Sequence, residues 1–592
     1  MPQEEETAAL CRRIVEQTIE RHGLISAGWR IVPTNESALG AKASATRPRI
    51  EQVLIAPHNS IEEYERVLFA ARKEVEESAA RIDGFYIASL SSRTIVYKAL
   101  IVSTHLKDFY LDLANEDFET ALVVFHQRYS TNTFPNWFLA QPFRMLAHNG
   151  EINTIAANRL WRRARGEEKI IWKEGSDSAS LDNAIESLVM RGRDPMRAMM
   201  MLLPEAHEHA TDMDERLRGF FDYSSCLIEP WDGPAAVALS DGITVGAALD
   251  RNGLRPARYV ITDDGLIVLA SEAGAVALDE ELIIEKGRLG PGKMITVDTS
   301  RGRLLRDSEI KLERAASKPF SDWMRRAMIV CPASLDVTSA HLSDESEITA
   351  LQKCFGYTRE DINRILEPML SEGKEPVGSM GDDAPLAVFS AKPRLLYDYF
   401  RQRFAQVTNP AIDPIRERAV MSLTTLVGPR GNLYEETQSH ARLIKLHSPV
   451  LTDAALAWLR RSEKHGFKSV TLSALCSRSA SAHHLEQRIE ALCQQAIDAI
   501  EAGHSILILS DRGASLYQMP LPMLLTVSAI HHRLISEGKR MKASIVVETG
   551  EAREDHHFAC LIGYGVSAVN PYLAFEVVAS EVNRRGMSVA GA

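Results

Sequence analysis

The chain has 592 residues, of which 45% are hydrophobic and 25% charged, a composition typical of globular protein with about two to four domains. Its formal net charge of -11 and its pI near 6.0 argue against a nucleic acid or an acidic membrane as partner, because both require a basic surface. No apolar run reaches the roughly 18 residues of a membrane-spanning helix, and the acidic start has no signal-peptide pattern, so we expect a cytoplasmic protein.

The first part of the chain predicts two helices and then short strands. Cys11, Val15 and Ile19 recur at every fourth position, which indicates one buried helical face, and Gly23 stands where that helix would end. Ser60 opens a capping-box pattern ahead of a second apolar periodicity, so another helix should begin there. The strand-like runs that follow are 85–90, 94–100 and 122–125.

A hairpin is predicted further on. The apolar runs 259–262 and 266–269 flank the sequence Asp-Asp-Gly at 263–265, a pattern typical of two antiparallel strands joined by a tight turn. Strands in succession with helices at their edges favour an antiparallel α+β layer fold for this half of the chain.

The periodic pattern breaks between about Arg301 and Glu347, where charged and small residues dominate. We place a domain boundary there. The sequence therefore predicts a first domain over 1–310, a linker over 311–345 and a second domain over 346–592.

The second half alternates short apolar strands with helical segments. The strand-like runs are 506–509, 544–547 and 559–562, and a clear helical pattern covers 484–501. Short apolar strands separated by helices predict βαβ units and a parallel sheet, hence an α/β domain.

Residues 126–154 hold more polar, glycine and proline residues than a packing element needs. Arg128 follows the run 122–125, so its guanidinium would lie where a strand opens into a loop; its planar donors suit a carboxylate, and a structural ion pair explains it equally well. Further on, Asn149 stands beside Gly150. An Asn amide next to a glycine N–H offers two donors for one developing oxyanion, although a tight turn is the commonest meaning of Asn-Gly.

The strings HQRYST (126–131) and AHNGEIN (147–153) resemble, in this order, the class-II glutamine amidotransferases. The longer strings FHQRYSTNTFP and AQPFRMLAHNGEINT are similar to the large subunit of glutamate synthase, and the likeness covers nearly the whole chain. It continues through SDSASLD (176–182), EPWDGPAA (229–236), DRNGLRPARY (250–259), EKGRLGPGKM (285–294), GSMGDDAPLAV (378–388), FAQVTNPAIDPIRER (404–418) and LIGYGVSAVNPYLA (561–574).

The resemblance implies a fold, a reaction and roles for four residues. The fold would be α+β, an incomplete αββα sandwich of the N-terminal-nucleophile hydrolase type, followed by the α/β central domain of glutamate synthase. Asn149 and Gly150 would form the oxyanion hole, while Arg128 and Asp177 would bind the carboxylate and the amino group of glutamine. Asp177 could also be a helix N-cap, and Ala179 stands where the family usually has glycine.

The parent reaction, by resemblance, is glutamine hydrolysis at a cysteine, passage of ammonia along the central domain, and reductive addition to 2-oxoglutarate on FMN. FMN and an iron–sulfur cluster belong to the intact enzyme. In this chain we expect no cofactor and no metal. The expected partners are glutamine and the remaining glutamate synthase domains or subunit, with no nucleic acid and no membrane.

Three patterns that could suggest a cofactor are weak. The seven cysteines are scattered and lack CxxC spacing, so we expect buried thiols rather than disulfides, zinc or an iron–sulfur site. The adjacent histidines at 483–484, 531–532 and 556–557 do not have the spacing of metal ligands. Residues 563–568 match GxGxxA after a predicted strand, but no acidic ribose partner follows them.

The family's nucleophile is an N-terminal cysteine whose own α-amine serves as base, and this chain begins Met1-Pro2. Cys11 is the one candidate ahead of the site, but its surroundings are helical. We therefore expect a piece of glutamate synthase truncated at both ends, able to bind glutamine without hydrolysing it efficiently. Two alternatives stay open: a catalytically inactive glutamine-binding or interaction module, and a split enzyme whose nucleophile and FMN segments come from separate chains.

Overall fold

The computed structural model describes residues 1–57, 60–129, 134–171, 175–335, 344–374, 376, 387–391, 394–401, 413–478 and 481–585. The chain forms two compact units. The first comprises Met1–Arg162, Glu167–Pro319 and Ala411–Val420, and the second comprises Arg163–Gly166, Phe320–Pro410 and Met421–Ala592.

Up to Pro319 the chain alternates helices with mainly antiparallel strands. The helices are α1 (Glu5–Arg21), α2 (Ala41–Ala45), α3 (Ile61–Ser78), α4 (Leu106–Phe109), α5 (Ile155–Ala164), α6 (Asp177–Val189), α7 (Pro195–Leu202), α8 (Glu215–Leu227) and α9 (Asp307–Ala315). The strands are β1 (Ser26–Ile31), β2 (Glu51–Ile55), β3 (Leu146–Gly150), β4 (Ala235–Ser240), β5 (Thr244–Leu249), β6 (Arg258–Thr262), β7 (Ile267–Ala270), β8 (Ile283–Arg288), β9 (Met294–Asp298) and β10 (Arg303–Arg306).

From Phe320 onward the elements belong to the second unit, except α13, which belongs to the first. The helices are α10 (Phe320–Ala327), α11 (Glu345–Cys354), α12 (Glu367–Glu372), α13 (Pro414–Val420), α14 (Asp453–Arg460), α15 (Ala482–Glu501), α16 (Met523–Ser536), α17 (Asp555–Gly563) and α18 (Tyr572–Arg585). The strands are β11 (Ile329–Val330), β12 (Thr425–Val427), β13 (Ile444–Leu446), β14 (Ser469–Ser473), β15 (Leu475–Ser477), β16 (Ile506–Ser510), β17 (Gln518–Pro520), β18 (Ser544–Glu548) and β19 (Val566–Asn570).

The main sheet of the first unit is antiparallel and has the strand order β10-β9-β5-β4-β3. Strand β3 is at one edge of it, paired with β4 in the register His148 to Val237 and Gly150 to Ala235. Helix α6 packs against β3, and α7 packs against β5. Residues 178–188 of α6 are all buried, so this helix is a core element that can hold β3 in place.

The predicted helices and the hairpin of the first unit are confirmed. Helix α1 buries Cys11, Val15 and Ile19, and Gly23 follows it with a φ of 71°, a left-handed conformation that glycine adopts readily. Ser60 caps α3 by accepting a hydrogen bond from the Glu63 N–H. The hairpin is the antiparallel pair β6 and β7.

The strands predicted over 85–90, 94–100 and 122–125 are wrong. These segments are irregular, and no strand pairs with them in the part of the chain that the structure describes. An apolar pattern alone does not make a strand, because a strand also needs a hydrogen-bonded partner. A cavity of about 180 Å³ adjoins the first two of these segments, between them and α1, α3, β1 and β2.

The second unit contains a parallel sheet in the order β14-β16-β18-β19. Every residue of β16 and of β18 is buried, as expected for central strands with helices on both faces. The strands predicted at 506–509 and 544–547 and the helix predicted at 484–501 are therefore confirmed. The predicted fold class, α+β followed by α/β, agrees with the sheets of both units.

The strand predicted over 559–562 is wrong, because these residues belong to α17 and the strand that follows is β19. His557 and Leu561 are buried one helical turn apart on α17. A short apolar run fits a buried helix as well as a buried strand, and its periodicity cannot separate the two. Gly563 consequently ends a helix and precedes a strand, the reverse of the strand–turn–helix order of a dinucleotide-binding motif.

Candidate functional site

In the described part of the chain, strand β3 has a paired strand, β4, on one side only. The Glu151 N–H, just past β3, donates to the carbonyl of Pro234 at 2.9 Å. Because bonded and non-bonded residues alternate in an antiparallel pair, the odd-numbered residues of β3 bond to β4. The N–H and C=O groups of Leu146, His148 and Gly150 therefore point away from β4, and we call this side of the strand the open edge.

Most backbone groups of the open edge are occupied by nearby polar groups. The Leu146 N–H donates to Oδ1 of Asp182 at 3.2 Å, and its carbonyl accepts from the Phe143 N–H at 2.8 Å. The His148 N–H donates to Oε1 of Gln141 at 2.6 Å, and its carbonyl accepts from Nε2 of the same Gln141 side chain at 3.0 Å. The edge is thus closed from its start as far as His148.

The two donors predicted for an oxyanion remain open. Ala235, which is opposite Gly150 in the register, exchanges its own N–H and C=O bonds with Asp250 at 2.9 and 3.0 Å. Among the described residues, neither the Gly150 N–H nor the Asn149 side-chain amide has a hydrogen-bond partner. Both residues are half-buried, so these donors can be reached by a ligand.

Gly150 is required by the backbone around it. Its φ is 152°, and a Cβ at this position would be 1.8 Å from the carbonyl oxygen of Pro234 and 2.9 Å from Nε2 of His148. Gly233 has the complementary problem, since a Cβ there would be 2.0 Å from the carbonyl oxygen of Glu151. The two glycines let the end of β3 and the segment before β4 run in direct backbone contact.

The turn after β3 is held by the segment that leads into β4. The Thr154 N–H donates to the carbonyl of Asp232 at 3.2 Å, and the Asp232 N–H donates to Oγ1 of Thr154 at 2.9 Å. Arg251 donates to the Asp232 carboxylate at 2.7 Å, and Nδ2 of Asn158 donates to the carbonyl of Pro230 at 3.0 Å. Through these contacts, residues of the stretches 229–236 and 250–259 hold the turn after β3, and with it the predicted site, in position.

Asp177 is brought to the end of β3 by α6. Ser176 is the N-cap of this helix and accepts from the Ala179 N–H at 3.1 Å, so Asp177 is the first helical residue. Its Oδ2 accepts a hydrogen bond from the Ile152 N–H at 2.9 Å, and its side chain is 23% exposed. Ala179 fits as a buried helical residue, and the carboxylate of Asp177 keeps an accessible side for a cationic group.

His148 is buried beneath this site. Its Nδ1 is 2.8 Å from Oγ of Ser178 and 4.0 Å from Oδ2 of Asp177, and its Nε2 has no hydrogen-bond partner in the described part of the chain. Burial lowers the pKa of His148 to about 4, with a smaller contribution in the same direction from Arg255 and an opposing one from Asp177. The imidazole is therefore neutral at physiological pH.

Arg128 is not brought into direct contact with the other predicted site residues. Its side chain is 82% exposed, and its guanidinium is 3.9 Å from the carboxylate of Glu272. The imidazole of His126 interacts with the backbone of both Arg128 and His148, and burial lowers the pKa of His126. The backbone at Arg128 is therefore next to the open edge, while its guanidinium points into solvent. Residues 130–133 of the same motif lie outside the described residues.

Sequence reasoning missed three polar residues that shape the site: Gln141, His148 and Asp182. All three are within strings that resemble known family motifs, but side-chain to backbone hydrogen bonds leave no periodic signal in a sequence. Asp182 is fully buried and also accepts from the Met145 N–H at 2.8 Å. Burial raises its pKa, as does the neighbouring carboxylate of Glu186, while Arg144 opposes the shift.

Comparison with protein families gives two matches that together cover most of the chain. The model of class-II glutamine amidotransferases matches residues 1–323, and the model of the glutamate synthase central domain matches residues 350–590. No described helix is long and apolar enough to cross a membrane.

Similar curated proteins are glutamate synthases. A ferredoxin-dependent glutamate synthase 2 from Synechocystis sp. is 45% identical over 98% of this chain and 38% of its own length. The glutamate synthase [NADPH] large chain of Bacillus subtilis is 42% identical over 99% of this chain and 39% of its own length. The chloroplastic ferredoxin-dependent glutamate synthase of Oryza sativa subsp. japonica is 44% identical over 97% and 37%. The chain thus spans less than two fifths of the length of these relatives.

Proposed function

This chain belongs to the class-II glutamine amidotransferases and has a glutamate synthase central domain later in its sequence. We propose that it binds glutamine at the open edge of β3 as part of a glutamate synthase. The observation that carries the proposal is the N–H of Gly150 next to the side-chain amide of Asn149, neither of which has a hydrogen-bond partner among the described residues. Two unpaired donors at the end of an otherwise closed edge suit a carbonyl oxygen that gains negative charge.

Each predicted site residue has a role in this proposal. The side-chain amide oxygen of glutamine accepts from the Gly150 N–H and from the Asn149 amide. The ammonium group of glutamine faces the accessible side of the Asp177 carboxylate. The exposed guanidinium of Arg128 turns from Glu272 to the glutamine carboxylate, which it can bind through two parallel hydrogen bonds.

We assign the two domains as predicted: 1–310 is the amidotransferase domain, and 346–592 is the central domain that guides ammonia to the rest of the synthase. The partners are glutamine and the remaining synthase domains or subunit. FMN and an iron–sulfur cluster would supply electron transfer in the whole enzyme.

The residues that the structure describes do not fit an iron–sulfur cluster. The cysteines in the described part form no disulfide, most of them are buried, and no group of three or more His, Cys, Asp or Glu there could hold a metal ion.

The proposal is tested by titrating L-glutamine into the purified chain in a calorimeter. Asp177→Asn keeps a side-chain oxygen for the Ile152 N–H but removes the charge that faces the ammonium group. We expect this variant and Asn149→Ala each to weaken glutamine binding about tenfold or more, the scale of one charge-assisted hydrogen bond.

The matched control is Asp214→Asn, at the N-cap of α8. Asn caps a helix as well as Asp does, so this variant should bind glutamine like the wild-type chain. Absence of glutamine binding in folded wild-type protein would refute the proposed function.

A further inference from the structure

The side chain of Gln141 imitates a neighbouring strand at the open edge. Its amide oxygen accepts from the His148 N–H at 2.6 Å, and its amide nitrogen donates to the His148 carbonyl at 3.0 Å. The C=O and N–H groups of one residue in a paired antiparallel strand would make the same two contacts. Gln141 is half-buried, so water competes only partly for these bonds.

The chain before β3 runs back along the same edge. The Phe143 N–H donates to the Leu146 carbonyl at 2.8 Å, and Gln141 continues this pairing at His148. The pairing then stops. The next outward-facing residue is Gly150, about 7 Å further along the strand, and its N–H is the first open donor of the edge.

We propose that Gln141 is a positioning residue for glutamine binding: its amide fixes His148 and thereby aims the Gly150 N–H at the ligand's amide oxygen. This inference rests on the proposed function of the open edge. Gln141 does not touch the ligand itself. It acts through the peptide unit of His148, two residues before the donor.

Only an amide side chain suits this role. Gln carries an acceptor and a donor side by side in one planar amide, whereas Glu carries acceptors alone and Leu carries neither. Gln141→Glu therefore keeps the bond from the His148 N–H and loses the bond to the His148 carbonyl. Gln141→Leu loses both bonds.

The test is native-state amide hydrogen exchange, resolved by residue, on the wild-type chain, Gln141→Leu and Gln141→Glu. In Gln141→Leu we expect exchange at the His148 N–H to accelerate about tenfold, while Ala147 and Asn149, which bond to β4, keep their protection. Gln141→Glu should retain protection at His148. The matched control, Gln494→Leu, removes a glutamine hydrogen bond to Asp498 on α15 and should leave β3 unchanged.

The ligand experiment repeats the exchange measurement at saturating L-glutamine. In the wild-type chain, glutamine should slow exchange at the Gly150 N–H, and in Gln141→Leu this protection should be at least about fivefold smaller although the site is filled. At saturation the site is filled in both proteins, so a smaller protection of Gly150 reports the orientation of its N–H and not the affinity for glutamine.

Three results would count against the inference. Unchanged exchange at His148 in Gln141→Leu, equal loss of protection at Ala147 and Asn149, or equal protection of Gly150 by glutamine in both proteins would each overturn it. If glutamine protects Gly150 in neither protein while His148 still depends on Gln141, the proposed ligand is wrong and the contact between Gln141 and β3 stands.

Discussion

The molecule has two regions where polar side chains gather at the ends of strands, and they differ in what they leave unpaired. The open edge of β3 in the first unit ends in donors of Asn149 and Gly150 that no described residue pairs with. The carboxyl ends of β16, β18 and β19 in the second unit form a network in which most charged groups are matched. Arg512 alone bonds to Glu548, Asp453 and Glu576 at 2.8, 3.0 and 3.3 Å.

The second region is where a ligand is expected from topology, because the carboxyl ends of parallel strands commonly form binding crevices. Here the charged and polar side chains of the protein bond to one another at that end of the sheet. Arg460 adds a further bond to Glu548 at 2.6 Å, and Asp511 accepts from Thr549 and from the Gly550 N–H at 2.5 and 3.0 Å. Oδ1 of Asn570 stays without a partner in the described part.

The comparison of the two regions shows that a high density of polar residues does not by itself identify a ligand-binding site. An unpaired donor at the end of an otherwise satisfied edge is a better indicator, because a buried or half-buried polar group without a partner is costly unless a ligand meets it. The four predictions below test whether the open edge and the closed network respond differently, and they are ordered by the expected change in stability.

The largest effect is expected for Gly150→Ala. The added Cβ would overlap the Pro234 carbonyl oxygen at 1.8 Å, and the φ of 152° is unfavourable for alanine. Backbone strain and overpacking each cost about 1–3 kcal/mol, so the first unit should lose about 3–5 kcal/mol together with glutamine binding. Denaturant unfolding and calorimetry measure the two losses.

The control is Gly265→Ala, at a φ of 89° with nothing within 4 Å of the new Cβ. It carries the backbone strain without the overlap and should cost about 1–2 kcal/mol. Equal costs at the two glycines would contradict the close contact between β3 and the segment before β4.

A smaller loss is expected for Arg512→Met in the closed network. It leaves the buried carboxylates of Glu548 and Glu576 short of a positive partner, so the second unit should lose about 2–4 kcal/mol. Glutamine binding should be unaffected. Unfolding followed by circular dichroism tests this, with Arg584→Met as control for an exposed ion pair, whose loss should leave the stability almost unchanged. A loss of glutamine affinity in Arg512→Met would erase the distinction between the regions.

The pH dependence of the two regions should have opposite signs. Burial raises the pKa of Asp511 to about 8 and that of Glu551 to about 7. The folded second unit then binds more protons than the unfolded chain, so its stability falls as pH rises from about 4 to 8. The lowered pKa of His148, about 4, gives the first unit the reverse slope, and stability there falls as pH drops from 6.5 to 4.

The measurement is the free energy of unfolding at pH 5 and pH 8 for the wild-type chain and Asp511→Asn. Asn cannot ionise, so the variant should lose less stability at pH 8 than the wild-type chain does. An identical pH dependence in both proteins would mean that Asp511 is not protonated in the fold.

The smallest change in stability is expected for Arg128→Gln. The exposed pair of Arg128 with Glu272 at 3.9 Å contributes less than about 0.5 kcal/mol, whereas glutamine affinity should fall about tenfold or more if the guanidinium binds its carboxylate. Arg216→Gln, which removes another exposed ion pair of the first unit, is the matched control. If Arg128→Gln binds glutamine as tightly as the wild-type chain does, Arg128 does not bind the glutamine carboxylate and has only the role of a structural ion pair.

The sequence predicted those features whose cause is local. The helical spacing of Cys11, Val15 and Ile19, the cap at Ser60 and the hairpin turn at Gly265 each depend on residues close in the chain. The segments 85–90 and 94–100 failed, because a strand depends on a distant partner that an apolar pattern does not specify.

The candidate site divides in the same way. Asn149, Gly150 and Asp177 were predicted from motif strings, and the structure brings these three to one end of β3. The bonds from Gln141 to His148 and from Asp182 to Leu146 were not predicted. Each of these bonds joins a side chain to a backbone group that only the folded chain brings close. No residue type at a fixed spacing in the sequence therefore predicts them.

The direct backbone contact at Gly150 and Gly233 has a consequence for how this region can vary. A side chain at either glycine must push the facing segment away, and once the segments are apart, a side chain at the other glycine has less to displace. The two substitutions should therefore be strongly non-additive. As long as one glycine is present, a side chain at the other is unfavourable. Once one has been replaced, the other tolerates replacement more easily, so we expect the two glycines to be conserved or lost together.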